Sequence, residues 1–157
     1  MIDRIVETLR TEFSDATDVE QITRILLRLL LAAALGGVLG YEREQQGKAA
    51  GMRTHMLVAM GAALFTLVPQ QAGMQVADMS RVIQGIVAGI GFLGAGAIVK
   101  HSAEDNVQGL TTAAGVWMTA AIGIACGLGR ETTALLSTVL ALFVLALVPK
   151  LPSREKK

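Results

Sequence analysis

The feature that most constrains this chain is a series of glycine-rich stretches almost free of charge, the third of which reads Gly85-Ile86-Val87-Ala88-Gly89-Ile90-Gly91-Phe92-Leu93-Gly94-Ala95-Gly96. In water, each such glycine weakens a helix by about 1 kcal/mol relative to alanine, whereas in lipid it lets two helix backbones approach closely. The pattern therefore selects a helical bundle dissolved in a bilayer. Composition agrees: 52% of the 157 residues are apolar and 17% are charged, more apolar surface than a soluble core of this length can bury.

Several function classes drop out. A net charge of +1 provides no basic footprint for nucleic acid, and the single cysteine, Cys126, forms neither a disulfide framework nor a multi-thiolate zinc site. Gly89, Gly91 and Gly94 satisfy the G-x-G-x-x-G spacing, but no strand precedes them and the run lies within a membrane span, so a dinucleotide site is rejected. No nucleophile, base and orienting group recur at catalytic spacing. The chain reads as a non-enzyme with no cofactor.

The expected architecture is all-α, a polytopic bundle of about five transmembrane helices. Residues 1–20 are acidic, yet Ile2, Ile5, Val6, Leu9 and Phe13 share one helical face, which predicts a short amphipathic helix on the membrane surface or against a neighbouring subunit. Residues 21–150 form the membrane domain, with spans at 25–41, 56–68, 82–99, 109–127 and 132–148, and 151–157 form a short basic tail. The second span is short against an ideal of about 20 residues. It either crosses by borrowing Thr54 and His55 at one end and Gln70 or Gln71 beyond Pro69 at the other, the favoured reading, or dips into the membrane without crossing.

Five spans place Arg43, Lys48, Arg53, Lys100, Lys150, Arg154, Lys156 and Lys157 on one side and Arg4, Arg10, Arg24, Arg28, Arg81 and Arg130 on the other. The positive-inside bias then puts the N-terminus outside and the C-terminus in the cytoplasm. Arg24 and Arg28 are expected to snorkel to the outer interface, with Glu20 pairing Arg24.

An internal repeat is visible when Gly51-Met52-Arg53-Thr54 is laid on Gly109-Leu110-Thr111-Thr112, because Val58 then meets Val116, Met60 meets Met118 and Ala62-Ala63 meets Ala120-Ala121. Spans one and two would thus recur as spans three and four, a parallel repeat of helix hairpins about an axis along the membrane normal.

The candidate functional residues are polar. Glu42, Arg43 and Glu44 end the first span, and Arg53, Thr54 and His55 open the second. Such a cluster suits a hydrated divalent cation, a gate or an anionic headgroup, or else a set of ion pairs that fixes helix depth. Asp78, before Ser80 and Arg81, is placed to cap the third span, while Gln84, Thr111, Thr112 and Thr119 need partners in lipid, across helices or along their own. Gly85, Gly89, Gly91, Gly94 and Gly96 are expected to pack against another helix, of this chain or a second subunit, so that leucine at Gly89 forces helices apart. Trp117 lies too deep for an interfacial belt and is expected between helices.

Taken together, Gly40-Tyr41-Glu42-Arg43-Glu44, Ala50-Gly51-Met52-Arg53-Thr54-His55, Gly61-Ala62-Ala63-Leu64-Phe65, Gly89 to Gly96 and Gly109-Leu110-Thr111-Thr112-Ala113-Ala114 look like the MgtC/SapB membrane domain. The resemblance covers about residues 25–146. It implies a bacterial inner-membrane protein linked to magnesium limitation and virulence-related adaptation. It also implies action on other membrane machinery, such as the F-type ATP synthase, with Mg2+ as a sensed or transported ion. The same resemblance marks Glu42, Arg43, Glu44, Arg53, Thr54 and His55, with Asp78, Arg81, Thr111 and Thr112, as the polar positions of interest. Longer members continue into a soluble domain, whereas only Lys150 to Lys157 follow the last span here. Function is therefore expected to reside in the membrane part, in a homo-oligomer or through a partner, as a regulator or alternatively as a small cation channel or transporter.

Overall fold

The computed structural model describes residues 1–12, 18–101 and 106–147. Within them the helices are α1 (Ile2–Glu12), α2 (Val19–Gln45), α3 (Met52–Gln71), α4 (Val76–Gly96), α5 (Leu110–Gly127) and α6 (Glu131–Leu147). The helical bundle is as expected. α1 buries nothing and leaves Ile2, Ile5, Val6 and Leu9 exposed, as an amphipathic surface helix should; Phe13 lies outside the described residues.

α2, α3, α4 and α5, of 27, 20, 21 and 18 residues, are each long and apolar enough to cross a membrane. α6 is apolar but has 17 residues, at the lower end of the range of about 17–25 for a span. The short second span does recruit its flanks: α3 is helical through His55 at one end and through Pro69, Gln70 and Gln71 at the other. Pro69 stands in the final turn, where its missing N–H removes only one hydrogen bond of the ladder.

The third span differs from expectation at both ends. α4 starts at Val76, with Gln75 rather than Asp78 at its N-cap, because Val76 to Met79 supply a further amphipathic turn. At the other end the chain leaves the helix for an antiparallel hairpin, β1 (Val99–His101) and β2 (Asn106–Gln108), pairing Val99 with Gln108 and His101 with Asn106. Gly109 makes the return possible. Its φ is +93°, and a Cβ there would collide with the carbonyl of Ala97, so only glycine fits the left-handed turn into α5.

Packing is arranged as lipid solvation requires. The buried residues are mainly small, among them Ala32, Ala59, Ala63, Ala134 and Cys126, while Leu30, Phe65, Leu136, Leu140 and Phe143 face outward. α3 and α5 form the centre, α2 and α6 close one side, and α4 packs mainly on α5. α2 touches α3 and α5, and α4 touches α5 and α3, as an exchange of two hairpins would distribute the contacts, but α4 is far less covered than α2.

Glycines make the tight contacts, though not those of α4. Among the described residues, a Cβ at Gly85, Gly89, Gly91 or Gly96 meets nothing within 4 Å, and one at Gly94 meets the Ala113 methyl at 3.5 Å. Within the chain the expected backbone-to-backbone face on α4 is therefore open, and leucine at Gly89 would separate no helices. The close approaches lie on either side of α3. A Cβ at Gly36 would stand 2.5 Å from the His55 carbonyl oxygen, one at Gly40 2.5 Å from Met52 Cα, and one at Gly123 would overlap the Ala59 carbonyl.

Candidate functional site

The polar residues at the end of α2 and the start of α3 converge. Arg43 is 2% exposed, since its Nε pairs with the Glu42 carboxylate and its terminal nitrogen donates to the Leu145 carbonyl at 3.2 Å. A guanidinium thus sits on the last turn of α6, where the helix dipole favours a cation. Glu42 turns one oxygen to Arg43, and its Oε1 is buried without a partner. Glu44 points elsewhere: its Oε2 accepts the N–H of Met52 at 2.9 Å and closes the start of α3.

His55 lies at the centre of this end and is fully buried. Its Nδ1 is 3.0 Å from the Gly51 carbonyl. A carbonyl only accepts, so the proton sits on Nδ1 and Nε2 presents a lone pair. That Nε2 has no partner and faces α5, where a Cβ on Gly115 would stand 3.6 Å away. His55 also lies within electrostatic range of both Glu42 and Arg43. The site therefore holds two buried acceptors without donors, Glu42 Oε1 and His55 Nε2. Buried acceptors of this kind suit a proton donor, a water or a small cation, while the adjacent guanidinium opposes a divalent ion. Among the described residues no three His, Cys, Asp or Glu side chains gather as a metal-binding set.

The other predicted positions separate from this centre. Arg53 and Thr54 are exposed at the start of α3, and Thr112 is buried on α5 while Thr111 is exposed. Asp78 pairs with Arg81 at 3.3 Å at the far end of α4, with Arg81 82% exposed, and Gln84 also faces outward. Thr119 donates to the Gly115 carbonyl at 2.9 Å on its own helix, as Thr66 and Thr138 do on theirs. Trp117 lines a cleft with Ile83, Val87 and Ile90 of α4, yet half of it is exposed. Packing between helices accounts for only one of its faces.

Arg28 is the main correction at the opposite end. Rather than snorkelling, its side chain turns inward at 13% exposure and donates to Gln70 Oε1 at 2.8 Å and to the Gly127 carbonyl at 2.9 Å. With Glu131 3.9 Å from its Nε, it ties α2 to α3, α5 and α6. Gly129, at φ +72°, leaves room for the guanidinium where a Cβ would otherwise stand. Arg24 behaves as expected and pairs with Glu20 at 2.6 Å. Gly36, Gly40, Gly115 and Gly123 hold the packing positions that the sequence pattern assigns to α4, and their spacing of four or eight residues is a signal the sequence carries.

Fold and site together define a multi-pass membrane protein whose small-residue core is closed at one end by the buried Arg43 and at the other by the inward-turned Arg28. A sequence model of the MgtC family matches residues 29–154, and the chain belongs to that family. It is 46% identical over 130 residues to SrpB of Synechococcus elongatus, covering 76% of this chain and 71% of SrpB. It is 41% identical over 136 residues to YhiD of Escherichia coli, whose name provisionally assigns a magnesium transporter, covering 82% of this chain and 62% of YhiD. Protein MgtC of Salmonella typhimurium is 44% identical over 117 residues, which are 74% of this chain and 49% of MgtC. This chain thus spans about half the length of MgtC. No solved structure matches it.

Proposed function

We propose that this chain is a non-enzymatic regulator in a bacterial inner membrane, with its N-terminus outside, linked to magnesium limitation through its effect on other membrane proteins. The observation that carries this reading is the sealed end at Glu42, Arg43 and His55, where charge is paired inward and tied to the last turn of α6. A further support is that the buried hydroxyls of Thr66, Thr119 and Thr138 bond their own helices, so they supply no free polar run between the two ends. Purified protein in liposomes is expected to pass no Mg2+. Saturable Mg2+ flux that disappears in Glu42→Gln, in a variant that keeps its helical content and melting temperature although Arg43 has lost its counter-charge, would overturn the reading.

The alternative is a small cation channel or transporter. Two observations favour it: the unpartnered Glu42 Oε1 and His55 Nε2, and the transport assignment in the name of the YhiD relative. Cysteine scanning of α5, after Cys126→Ser, separates the two. A conducting path exposes one continuous stripe to a water-soluble thiol reagent, and a sealed bundle protects every position.

A further inference from the structure

Between α3 and α4 runs an apolar groove of about 700 Å3, lined among others by Leu57, Gly61 and Phe65 on one wall and Gly85, Gly89 and Leu93 on the other. Grooves of about 300–1,000 Å3 accept ligands of a few tens of atoms. The groove is open because α4 leans on α5 rather than on α3, and a Cβ at Gly61, Gly85 or Gly89 would enter it without touching anything within 4 Å.

The end of this groove is chemically distinct. Arg53 lies one helical turn before Leu57 on α3, on the same face as Leu57, Gly61 and Phe65. It is exposed, and among the described residues no carboxylate pairs with it. Thr54 beside it is also exposed. The first turn of α3 adds donors: Gly51 has no side chain to cap it, Glu44 takes only the Met52 N–H, and the N–H groups of Arg53 and Thr54 find no acceptor among the described residues. An unpaired guanidinium, a hydroxyl and two free N–H groups at a helix N-terminus are the donors that a phosphate monoanion takes.

We propose that this groove is a seat for one anionic phospholipid, with an acyl chain between α3 and α4 and the phosphate on Arg53, Thr54 and the start of α3. A second copy of the chain fits less well. Two copies related by an axis along the membrane normal meet at equal depth, which sets Arg53 against Arg53 while Glu42 and Glu44 are already engaged. The seat goes beyond the regulator reading and does not depend on it.

Native mass spectrometry of the full chain in mild detergent, with phosphatidylglycerol or phosphatidylcholine of matched acyl chains, tests the seat. One phosphatidylglycerol per chain is expected to remain bound, preferred about fivefold over phosphatidylcholine, the factor one basic group confers at an anionic headgroup. Arg53→Gln should abolish the preference, weakening phosphatidylglycerol several-fold and phosphatidylcholine less, because choline already offsets the phosphate charge of the latter. Gly61→Leu should abolish both lipids without lowering the melting temperature, and Gly89→Leu, on the facing wall, should do the same if Gly61→Leu fails to fold. Equal retention of the two lipids by the unmodified chain, or lipid binding indifferent to a filled groove, overturns the proposal. So does a lipid-free dimer that Gly61→Leu dissociates, which would make a second copy the occupant.

Discussion

Adding one methyl group at Gly123 should separate the two central helices. A Cβ there would overlap the carbonyl oxygen of Ala59 and stand 2.9 Å from both the carbonyl carbon and Cα of the same residue, where ordinary contact begins at 3.4 Å. All three atoms are backbone in the middle of α3, so no side chain can rotate away, and α3 and α5 must part by about half an ångström or more. Parting loosens the core that Ala59 and Ala63 share with Ile122 and Cys126. Overpacking of this kind costs about 1–3 kcal/mol. At roughly 2–4 °C per kcal/mol for a chain of this size, the melting temperature should fall by about 2–12 °C. Thermal unfolding in detergent, followed by helical circular dichroism, measures it, with Gly89→Ala as the comparator. There the added methyl meets nothing within 4 Å, so stability should stay within about 0.5 kcal/mol of the parent. Equal melting temperatures for the two variants would refute the argument that α3 and α5 meet through Gly123.

Arg43→Ala leaves the Glu42 carboxylate buried without its partner and frees the Leu145 carbonyl; a loss of about 3–5 kcal/mol is expected, read as a sharp fall in monodisperse protein after detergent extraction. Arg28→Ala removes charge-assisted bonds to Gln70 and Gly127, each worth about 1.5–3 kcal/mol, and Arg28→Lys should recover only part because an ammonium lacks the planar fork; melting temperatures of the pair decide. Thr119→Val should change stability by less than about 1 kcal/mol, since the hydroxyl only bonds back to its own helix, and unfolding in denaturant would expose a larger role.

How much of this fold the sequence disclosed depended on whether hydrophobicity or geometry set each boundary. The span expected at 109–127 and the helix Leu110–Gly127 nearly coincide, because glycines mark both ends of the apolar run. The span expected at 25–41 falls short of Val19–Gln45, because hydrophobicity alone ends a span at its charged flanks. In the structure Glu20 and Arg24 pair on the helix surface and Arg28 and Arg43 bond into the bundle, so the helix carries its polar residues rather than stopping at them. The hairpin between α4 and α5 depends on a single positive φ at Gly109, which no apolar pattern encodes.

The glycines show why a small-residue motif identifies a capacity rather than a contact. Gly85 and Gly89 have the same four-residue spacing as Gly36 and Gly40, yet the first pair faces open space and the second lies against His55, Ala59 and Met52. The difference lies on the opposing helix. α3 presents the Ala59 methyl towards Gly36 on one side and the bare backbone of Ala59 and Ala63 towards Gly123 and Gly127 on the other, so α2 and α5 can both close on it. His55 precedes Ala59 by one turn on that same doubly contacted face and is carried into the tightest part of the bundle with one ring nitrogen unfilled. Sequence reading named Glu42, Arg43 and His55, but what seals them, the Leu145 carbonyl and the Gly115 backbone, lies far along the chain and carries no side-chain signal. Packing and site chemistry therefore cannot be varied independently at His55. An isosteric change at Glu42 adds no bulk to the closest helix contacts but strips Arg43 of its counter-charge, so its effect on function has to be read beside its effect on stability.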